Sequence, residues 1–304
     1  MPRQTRRVEI SLARQRRFGA RARIGDLAPS MTSMERLHPV VIARDAAGTI
    51  ATTLASLRAF PEVVVYDNGS TDETVAICAR FANVRVERGA FYGFGPTKNH
   101  AASLAAGPWI FSIDADERVD AELLEQLGKL ELSETRRAYA VDRRNLLLGK
   151  HVRRAGWGNN WLVRVYHRGT CRFSDVRVHE KVVVPRGVSL IRLEGGLWHD
   201  AVSDIDQFLH KVSLYSELNR GVSPKIRSIP HILLGAACAF IRSYVLRLGF
   251  LEGWRGLLIA HCDAQGTFFK HFKRYVDAQM HTTATPTPPR WIASAKSSAR
   301  TVHD

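Results

Sequence analysis

The sequence has few cysteines and no long apolar run. Its four cysteines, Cys78, Cys171, Cys238 and Cys262, include no CxxC pair, so neither a zinc ribbon nor a thioredoxin-like motif is present. The longest apolar run, residues 232–241, is about half of the roughly 20 residues that a transmembrane helix needs. No apolar segment of the secretory type follows the Arg-rich N-terminus. These features predict a protein of the reducing cytosol without a spanning segment.

Acidic residues are scarce relative to basic ones. The chain has 304 residues with 44 Lys and Arg against 29 Asp and Glu, which gives a formal net charge of +15. Because 45% of its residues are hydrophobic and 24% are charged, a fibrous or fully disordered chain is excluded. The basic excess predicts an anionic partner, which could be a nucleic acid, a membrane surface or a phosphorylated substrate.

Changes in composition divide the chain into four segments. Residues 1–36 contain nine arginines and three acids, which predicts a flexible basic arm, or alternatively a tail without function. Residues 37–203 alternate apolar runs with helical periodicity and form the expected main domain. Residues 204–280 are predicted to be helical. Residues 281–304, rich in Thr, Pro, Ser and Ala, are predicted to be a disordered tail.

The main domain shows the pattern of an α/β fold. Helical segments separate four short apolar runs, at residues 40–43, 63–66, 83–87 and 109–113. This βαβ spacing predicts a mostly parallel, Rossmann-like sheet covered by helices on both faces. After residue 135 the alternation loosens, and shorter strands are expected at a mixed edge of the sheet.

Two acidic clusters follow apolar strands, at residues 67–73 (DNGSTDE) and 114–117 (DADE). Ligands of open α/β sheets bind beyond the carboxyl ends of the strands. A carboxylate at Asp67 could accept from a uracil N–H or a ribose hydroxyl. Asp114 and Asp116 would be compensated by a divalent cation with a diphosphate. Each cluster alone has an ordinary alternative, a capped turn or a solvated acidic turn, and the pair is the stronger signal.

A glycine-containing loop between the two clusters opens a predicted helix. Lys98 falls in the first turn of this helix, where the helix N-terminus and a lysine suit a phosphate. A solvated lysine is the alternative. The spacing is neither GxGxxG nor a Walker A loop, so the dinucleotide and P-loop fingerprints are absent.

These segments, in this order, resemble a family 2 glycosyltransferase with a GT-A fold. The resemblance rests on residues 40–50, 63–74, 93–101 and 110–119. Further segments resemble the bacterial lipopolysaccharide-core β-1,4-glucosyltransferase-like branch, and they comprise residues 153–169, 173–182 and 242–273. Together the match covers about residues 38–276.

The resemblance implies a nucleotide-sugar donor and a divalent metal, Mg²⁺ or Mn²⁺. By position, Asp67 and Asn68 would contact the donor base, and Asp114 would contact the ribose or the sugar. Asp116 would bind the metal that bridges the diphosphate, and Lys98 would lie near the donor phosphates.

The chain departs from the family pattern after the first strand. The family commonly has Asn-Glu there, whereas this chain has Asp45 and Ala46. This departure leaves the detail of the base pocket open.

An inverting transferase also needs a general base for the acceptor hydroxyl. By resemblance, Glu180 is the favoured base and Asp175 is the alternative, with His179 as a metal or phosphate contact. A structural reading is also open for each carboxylate, because Asp175 could be a turn residue and Glu180 could pair with a neighbouring cation.

A second His-acid pair, His199 and Asp200, follows an apolar run at another predicted strand end. Such a pair could orient a metal ligand. The alternative, which we favour on the sequence, is a buried histidine with satisfied hydrogen bonds.

Residues 229–275 mix large apolar residues with Arg and Lys, which is typical of in-plane amphipathic helices on an anionic membrane. The cations expected to meet lipid phosphates are Arg242, Arg247, Arg255, Lys270, Lys273 and Arg274. The alternative is a helical cap on the catalytic domain, and the two can both hold.

The sequence thus predicts a metal-dependent, inverting glycosyltransferase that is peripheral on the inner face of the plasma membrane. It would move a hexose, with glucose favoured, from a UDP-sugar to a lipid-linked or lipopolysaccharide-core saccharide. A basic nucleic-acid-binding protein and a catalytically inactive glycosyltransferase-like scaffold remain as alternatives. No RNP1 or zinc-finger motif supports a nucleic-acid-binding protein. The intact DxD motif, Asp114 and Asp116, opposes an inactive scaffold. A nucleotidyltransferase would also use strand-tip acids, but residues 44–48 are a poor version of its loop.

Overall fold

The computed structural model describes residues 31–175, 180–218 and 226–283. Most of the predicted basic arm, residues 1–30, and most of the predicted tail, residues 284–304, lie outside these described residues. Within the remainder of the arm, the first helix packs on the main domain. Its Ser33 hydroxyl donates to the Leu130 carbonyl at 2.5 Å, and the Arg36 guanidinium donates to the Leu132 carbonyl at 2.6 Å.

The described strands form a large sheet and a small hairpin. The bounds are β1 (Leu37–Ala43), β2 (Val63–Asp67), β3 (Val84–Arg88), β4 (Trp109–Asp114), β5 (Glu117–Val119), β6 (Arg137–Leu147), β7 (Lys150–His151), β8 (Trp161–His167), β9 (Arg172–Phe173), β10 (Val182–Val183) and β11 (Ser189–Val202). The sheet order is β3-β2-β1-β4-β8-β6-β11-β5, with β7 paired to β6, and β9 with β10 forms the hairpin.

The helices lie between the strands and then in a C-terminal group. Their bounds are α1 (Ser33–Arg36), α2 (Ile50–Ala55), α3 (Thr74–Cys78), α4 (Phe94–Ser103), α5 (Ala121–Gly128), α6 (Ile205–Leu218), α7 (Ile229–Ile241) and α8 (Trp254–Thr283). A π-helical turn, Arg242–Leu246, and a 3-10 turn, Gly249–Glu252, connect α7 to α8.

The first half of the sheet is parallel and buried on both faces, as the apolar runs predict. Successive residues of β1 face opposite cores, because side chains alternate along a strand. Val41 packs into one core with Leu54 and Phe111, and Val40 packs into the other with Tyr66. The alternation of strand and helix through β4 is therefore confirmed.

The register of these strands sets the position of the acids. Ala43 of β1 pairs with Asp67 of β2, and Ile42 pairs with Asp114 of β4. Both carboxylates therefore leave the sheet at its carboxyl edge, separated by one intervening strand. Two strand spacings place their backbones about 10 Å apart.

The second half of the sheet is mixed, as expected, but its strands are longer than the sequence indicated. β8 runs antiparallel to β4 and to β6, and the 14-residue strand β11 runs parallel to β6 and antiparallel to β5. His199 was expected at a strand end, and this expectation is wrong. The strand continues past it because β11 keeps pairing with β6 as far as Val202 and Leu147.

The C-terminal helices include one candidate membrane segment. Residues 229–246 are long enough and apolar enough to cross a membrane by length and composition, with a mean hydropathy of 1.6. Only 17% of this segment is buried in the protein. This segment is longer than the apolar run of residues 232–241, because α7 continues directly into the π-helical turn.

Candidate active site

Hydrogen bonds join the loop after β1 to the loop after β2. They involve Asp45 and Ala46, the two residues at which the chain departs from the family pattern. The Asp45 carboxylate accepts from the Thr71 backbone N–H at 2.7 Å and from its hydroxyl at 3.1 Å. In return, the Ala46 N–H donates to the Thr74 hydroxyl at 2.7 Å. The Thr71 contacts lower the pKa of Asp45, so a carboxylate at this position fixes the two loops to each other.

The first acidic cluster offers a carboxylate and an amide at the end of β2. Asp67 is buried, and its carboxylate accepts from the Ser70 N–H at 3.2 Å. Among the residues that the structure describes, the buried Asn68 Oδ1 has no hydrogen-bond partner. Buried polar atoms are nearly always satisfied, so this oxygen points to a missing donor group at the site.

A buried arginine compensates the second acidic cluster. Arg164 projects from β8, with its Nη2 atom 2.8 Å from Asp114 Oδ2 and in contact with Glu117 Oε1. The other oxygen of Glu117 accepts from the Asp114 N–H at 3.0 Å. Burial alone would raise the pKa of Asp114, but the charges of Arg164 and Lys98 hold it well below its usual range. Asp114 is therefore anionic at neutral pH.

Lys98 joins the same network from the opposite side. Its Nζ lies 2.7 Å from Asp114 Oδ1 and 3.0 Å from Glu180 Oε1. Burial lowers the pKa of Lys98, but the facing carboxylate of Asp114 outweighs burial and raises it. The lysine therefore stays charged and links β4 to the residue favoured as general base.

Helix α4 also positions the segment that carries the candidate bases. The Asn99 amide donates to the Phe173 carbonyl at 3.0 Å and accepts from the Phe173 N–H at 2.8 Å. A Cβ at Gly95 would collide with the Ser174 carbonyl oxygen, so the helix start needs a glycine for this close approach. Asp175 is exposed. His179, expected as a metal or phosphate contact, lies outside the described residues.

Asp116 faces a histidine of β11. His199 Nε2 lies 3.3 Å from Asp116 Oδ2, and His199 Nδ1 lies 2.8 Å from Asn145 Oδ1. The Asn145 amide nitrogen donates to the Trp157 carbonyl at 2.9 Å, which directs its oxygen at the histidine. Because the Asn145 oxygen can only accept, Nδ1 is the donor in this contact, and Nε2 is the ring atom that faces the Asp116 carboxylate.

This arrangement fits a divalent metal held partly by substrate. Within the described residues, no three His, Cys, Asp or Glu side chains form a ligand cluster. Mg²⁺ is commonly bound by one or two protein ligands together with substrate phosphates. Asp116 and His199 supply two such ligands, with the second nitrogen of the histidine oriented by Asn145.

A cavity of 660 Å³ opens beside this pair, between the sheet and the C-terminal helices. His199 and Asn145 line one part of it, and residues of α6, α8 and the π-helical turn line the rest. The candidate metal ligands therefore border a space large enough for a saccharide.

The structure brings together some of the predicted site residues and adds others. Lys98, Asp114 and Glu180 form one cluster, whereas Asp67 lies two strand spacings from Asp114, on the far side of β1. Arg164 was missed, although a lone arginine inside the apolar strand WLVRVY is a signal for a buried charge partner. Asn145 gave no sequence signal, because its partner His199 is 54 residues away.

Comparison with known proteins identifies relatives of this chain. Residues 40–145 match the profile of the family described as Glycosyl transferase family 2. The chain is 25% identical over 239 residues to an uncharacterised glycosyltransferase of Rickettsia typhi, covering 74% of this chain and 82% of that protein. It is 27% identical over 234 residues to the lipopolysaccharide core biosynthesis glycosyltransferase LpsC of Rhizobium meliloti, covering 72% and 86%.

Among solved structures, S. aureus TarS 1-349 in complex with UDP-GlcNAc is similar with a TM-score of 0.43 and 16% identity. The match covers 80% of this chain and 92% of that one. The family profile and the relatives identify the protein as a glycosyltransferase enzyme, and its fold is mixed α/β. The similarity to the family 2 glycosyltransferases covers residues 40–145.

The buried ion network yields a prediction about stability. Arg164→Met should lower the free energy of unfolding by about 3–5 kcal/mol, because it removes the nearest cation from the buried Glu117 and leaves Lys98 as the one close countercharge of Asp114. Denaturant unfolding at pH 7 measures this loss. Burial already raises the pKa of Glu117, and loss of Arg164 would raise the carboxyl pKa values in the variant further. The deficit should therefore shrink as pH falls, because the variant's carboxylates are protonated before those of the wild type.

The matched control is Lys129→Met, which removes a cation that pairs with Glu125 on the exposed surface of α5. This variant should lose no more than about 1 kcal/mol. Equal losses in the two variants would contradict the role given to Arg164.

Proposed function

We propose that this enzyme transfers a hexose, with glucose favoured, from a UDP-sugar to a lipid-linked saccharide, with inversion and with the help of a divalent metal. The observation that carries the proposal is the convergence of Asp116 Oδ2 and His199 Nε2 at the carboxyl edge of the sheet. The same edge presents Asp67 and Asp114 on two parallel strands.

The donor nucleotide would lie across the ends of β2, β1 and β4. Asp67 and the unsatisfied Asn68 Oδ1 offer acceptors to the N–H and hydroxyl groups of a nucleoside. Asp114 lies about 10 Å further along the edge, within reach of the ribose. Because Lys98 and Arg164 fix both oxygens of Asp114, this carboxylate is positioned before the donor binds.

The divalent metal would be held by Asp116 and His199, together with oxygens of the donor diphosphate. When bound, it would act as a Lewis acid that neutralises the charge of the departing nucleoside diphosphate. Asn145 keeps the Nε2 atom of His199 available, and the Asp116 carbonyl, which accepts from the Asp200 N–H at 3.0 Å, fixes the loop.

Transfer also requires removal of a proton from the acceptor hydroxyl. The acceptor oxygen forms a bond to the anomeric carbon as the bond from that carbon to the diphosphate breaks. The proton passes to a carboxylate, which we assign to Glu180, with Asp175 as the alternative. Lys98 holds the Glu180 side chain by its 3.0 Å contact, and this fixes the base relative to Asp114.

The donor site is tested by thermal stabilisation with UDP and UDP-sugars, with and without Mn²⁺. A ligand at 100 times its Kd stabilises the native state by about 2.7 kcal/mol, so Tm must rise when metal and nucleotide bind together. Asp116→Asn and His199→Asn should abolish the metal-dependent part of the shift. Asn145→Ala should weaken Mn²⁺ about 10- to 100-fold, because it leaves the histidine unoriented.

Asp200→Asn is the matched control, since Asp200 adjoins His199 but pairs with Arg118 at 3.0 Å. It should retain the full metal-dependent shift. No shift of the wild-type protein with any nucleotide would contradict the proposed donor site and favour an inactive scaffold.

The base is tested by comparing Glu180→Gln with Asp175→Asn. Glu180→Gln should lower kcat for UDP release by about 10²- to 10⁴-fold while UDP still stabilises the protein, because only proton removal is lost. Asp175→Asn should retain kcat within a few-fold. The reverse pattern would assign the base to Asp175.

The lipid-linked acceptor is supported by the C-terminal helices and by one relative. LpsC, the relative from Rhizobium meliloti, is named for lipopolysaccharide core biosynthesis. Helix α7 and the turns after it expose large apolar side chains, including Leu234 at 62% and Leu246 at 73%. Such a contiguous apolar surface fits a helix lying in the plane of a membrane. We propose the inner face of the plasma membrane as its location.

Some of the basic residues expected to contact the membrane instead contact other parts of the protein. Arg255 donates to the Leu147 carbonyl at 3.2 Å, and Lys273 pairs with Glu217 at 3.0 Å. Arg274 is buried. Membrane binding would therefore depend more on the apolar face of α7 than on these three cations.

Vesicle binding tests the membrane assignment. Leu234→Glu and Leu246→Glu should each reduce partition onto phosphatidylethanolamine–phosphatidylglycerol vesicles at least ten-fold, because burying a leucine contributes about 1.5–3 kcal/mol. The control Leu190→Glu changes an exposed leucine of β11 and should leave partition unchanged. Unchanged partition in the first two variants would contradict the assignment. If the wild-type protein is a dimer and these two variants are monomers, the apolar face is assigned to a second copy of the chain instead.

A further inference from the structure

The cavity beside His199 is strongly basic. Five cationic side chains line it, from β6, α6, the π-helical turn and α8, against the single carboxylate of Asp263. The five are Arg143, Lys211, Arg242, Arg247 and Lys270. A space with this excess of one charge favours an anionic ligand and attracts it over a distance.

Much of this charge is not neutralised by the protein. With the residues that the structure describes, Arg242, Arg247 and Lys270 form no ion pair within 4.0 Å, whereas Arg143 lies 3.8 Å from Glu117. Lys211 donates to the Ala201 carbonyl at 2.7 Å. The first three of these cations face one lining carboxylate, Asp263, which interacts with Arg242 and Arg247. The remaining positive charge suits a phosphate, which accepts hydrogen bonds from several donors at once.

Two of these cations have a defined placement at the mouth of the cavity. The Ala155 N–H donates to the Arg247 carbonyl at 3.0 Å, and the Arg247 guanidinium lies against Gly156, where a Cβ would collide with it. Arg242 begins the π-helical turn that continues the exposed apolar helix α7. The wall that holds these cations therefore adjoins the surface proposed to face lipid.

The cavity is larger than the donor diphosphate requires. The candidate metal ligands border it only through His199, and Lys270 belongs to α8 in the C-terminal group. Its volume of 660 Å³ lies within the range of sites that hold whole small-molecule ligands. The diphosphate at Asp116 would thus leave the basic wall available to a second substrate.

We propose that this cavity binds the acceptor and that the acceptor is a phosphorylated saccharide. Its phosphate contacts Arg242, Arg247 and Lys270, while the saccharide extends toward His199 and places its hydroxyl near the donor sugar. This inference rests on the proposed function and adds the chemical class of the acceptor. The competing source of the same anionic chemistry is the donor diphosphate itself.

The test uses the full chain and two probes, a deacylated, phosphorylated lipopolysaccharide-core oligosaccharide and the same oligosaccharide after removal of its phosphates. Calorimetry is performed with UDP and Mn²⁺ present. Wild-type protein should bind the phosphorylated probe at least ten-fold more tightly. Equal binding of the two probes would overturn the proposal.

The test variant is the double variant Arg242→Gln with Lys270→Gln, and the single variant Lys270→Gln replaces it if the double variant unfolds. The test variant should lose the preference for the phosphorylated probe and keep its affinity for UDP with Mn²⁺. The control pair, Arg80→Gln with Lys129→Gln, removes the same charge from outside the cavity and should behave as wild type.

Two outcomes separate this inference from the proposed function. If the double variant loses UDP affinity and keeps the preference for the phosphorylated probe, the basic wall binds the donor and the inference is wrong. If wild type binds the phosphorylated probe selectively but binds no nucleotide, the anionic saccharide site stands and the proposed donor chemistry is wrong.

Discussion

The site depends on one buried arrangement of charge, in which Arg164 and Lys98 compensate the acids that end β4. Arg164 belongs to a strand that runs antiparallel to β4, and Lys98 belongs to the helix before it. Both cations reach the same carboxylate, Asp114, at 2.8 Å and 2.7 Å. An uncompensated buried carboxylate would protonate or destabilise the fold. The two halves of the sheet are therefore connected by the same ions that keep Asp114, the acid proposed to bind the donor, ionised and oriented.

From this network the rest of the site extends in two directions. Lys98 holds Glu180 on one side, so the candidate base and Asp114, the proposed ribose contact, share a single cation. On the other side, the short strand β5 carries the chain from Glu117 back along β11, next to His199. Asp116 is thereby brought to the histidine that borders the basic cavity. Donor binding, proton removal and the proposed acceptor wall are thus linked through short, rigid connections.

Local features of the sequence predicted much of the parallel half of the fold. The run VVVYD ends at Asp67 as expected, because strand pattern and strand end are both encoded within a few residues. The contact between Asp116 and His199 could not be predicted, because it depends on the register of a 14-residue strand with a bulge near Gly196. Likewise, the cations at the cavity resembled lipid contacts in the sequence, since helical periodicity does not show which face meets a cavity.

The most direct test of the account is the position of Mn²⁺ in a crystal of the protein grown with UDP, located by its anomalous scattering. The account predicts one ion whose protein ligands are Asp116 and His199 Nε2, with diphosphate oxygens completing its coordination. Nucleotide contacts should then involve Asp67 and Asn68 at the end of β2. An ion bound elsewhere, or UDP bound away from the carboxyl edge of the sheet, would contradict the account.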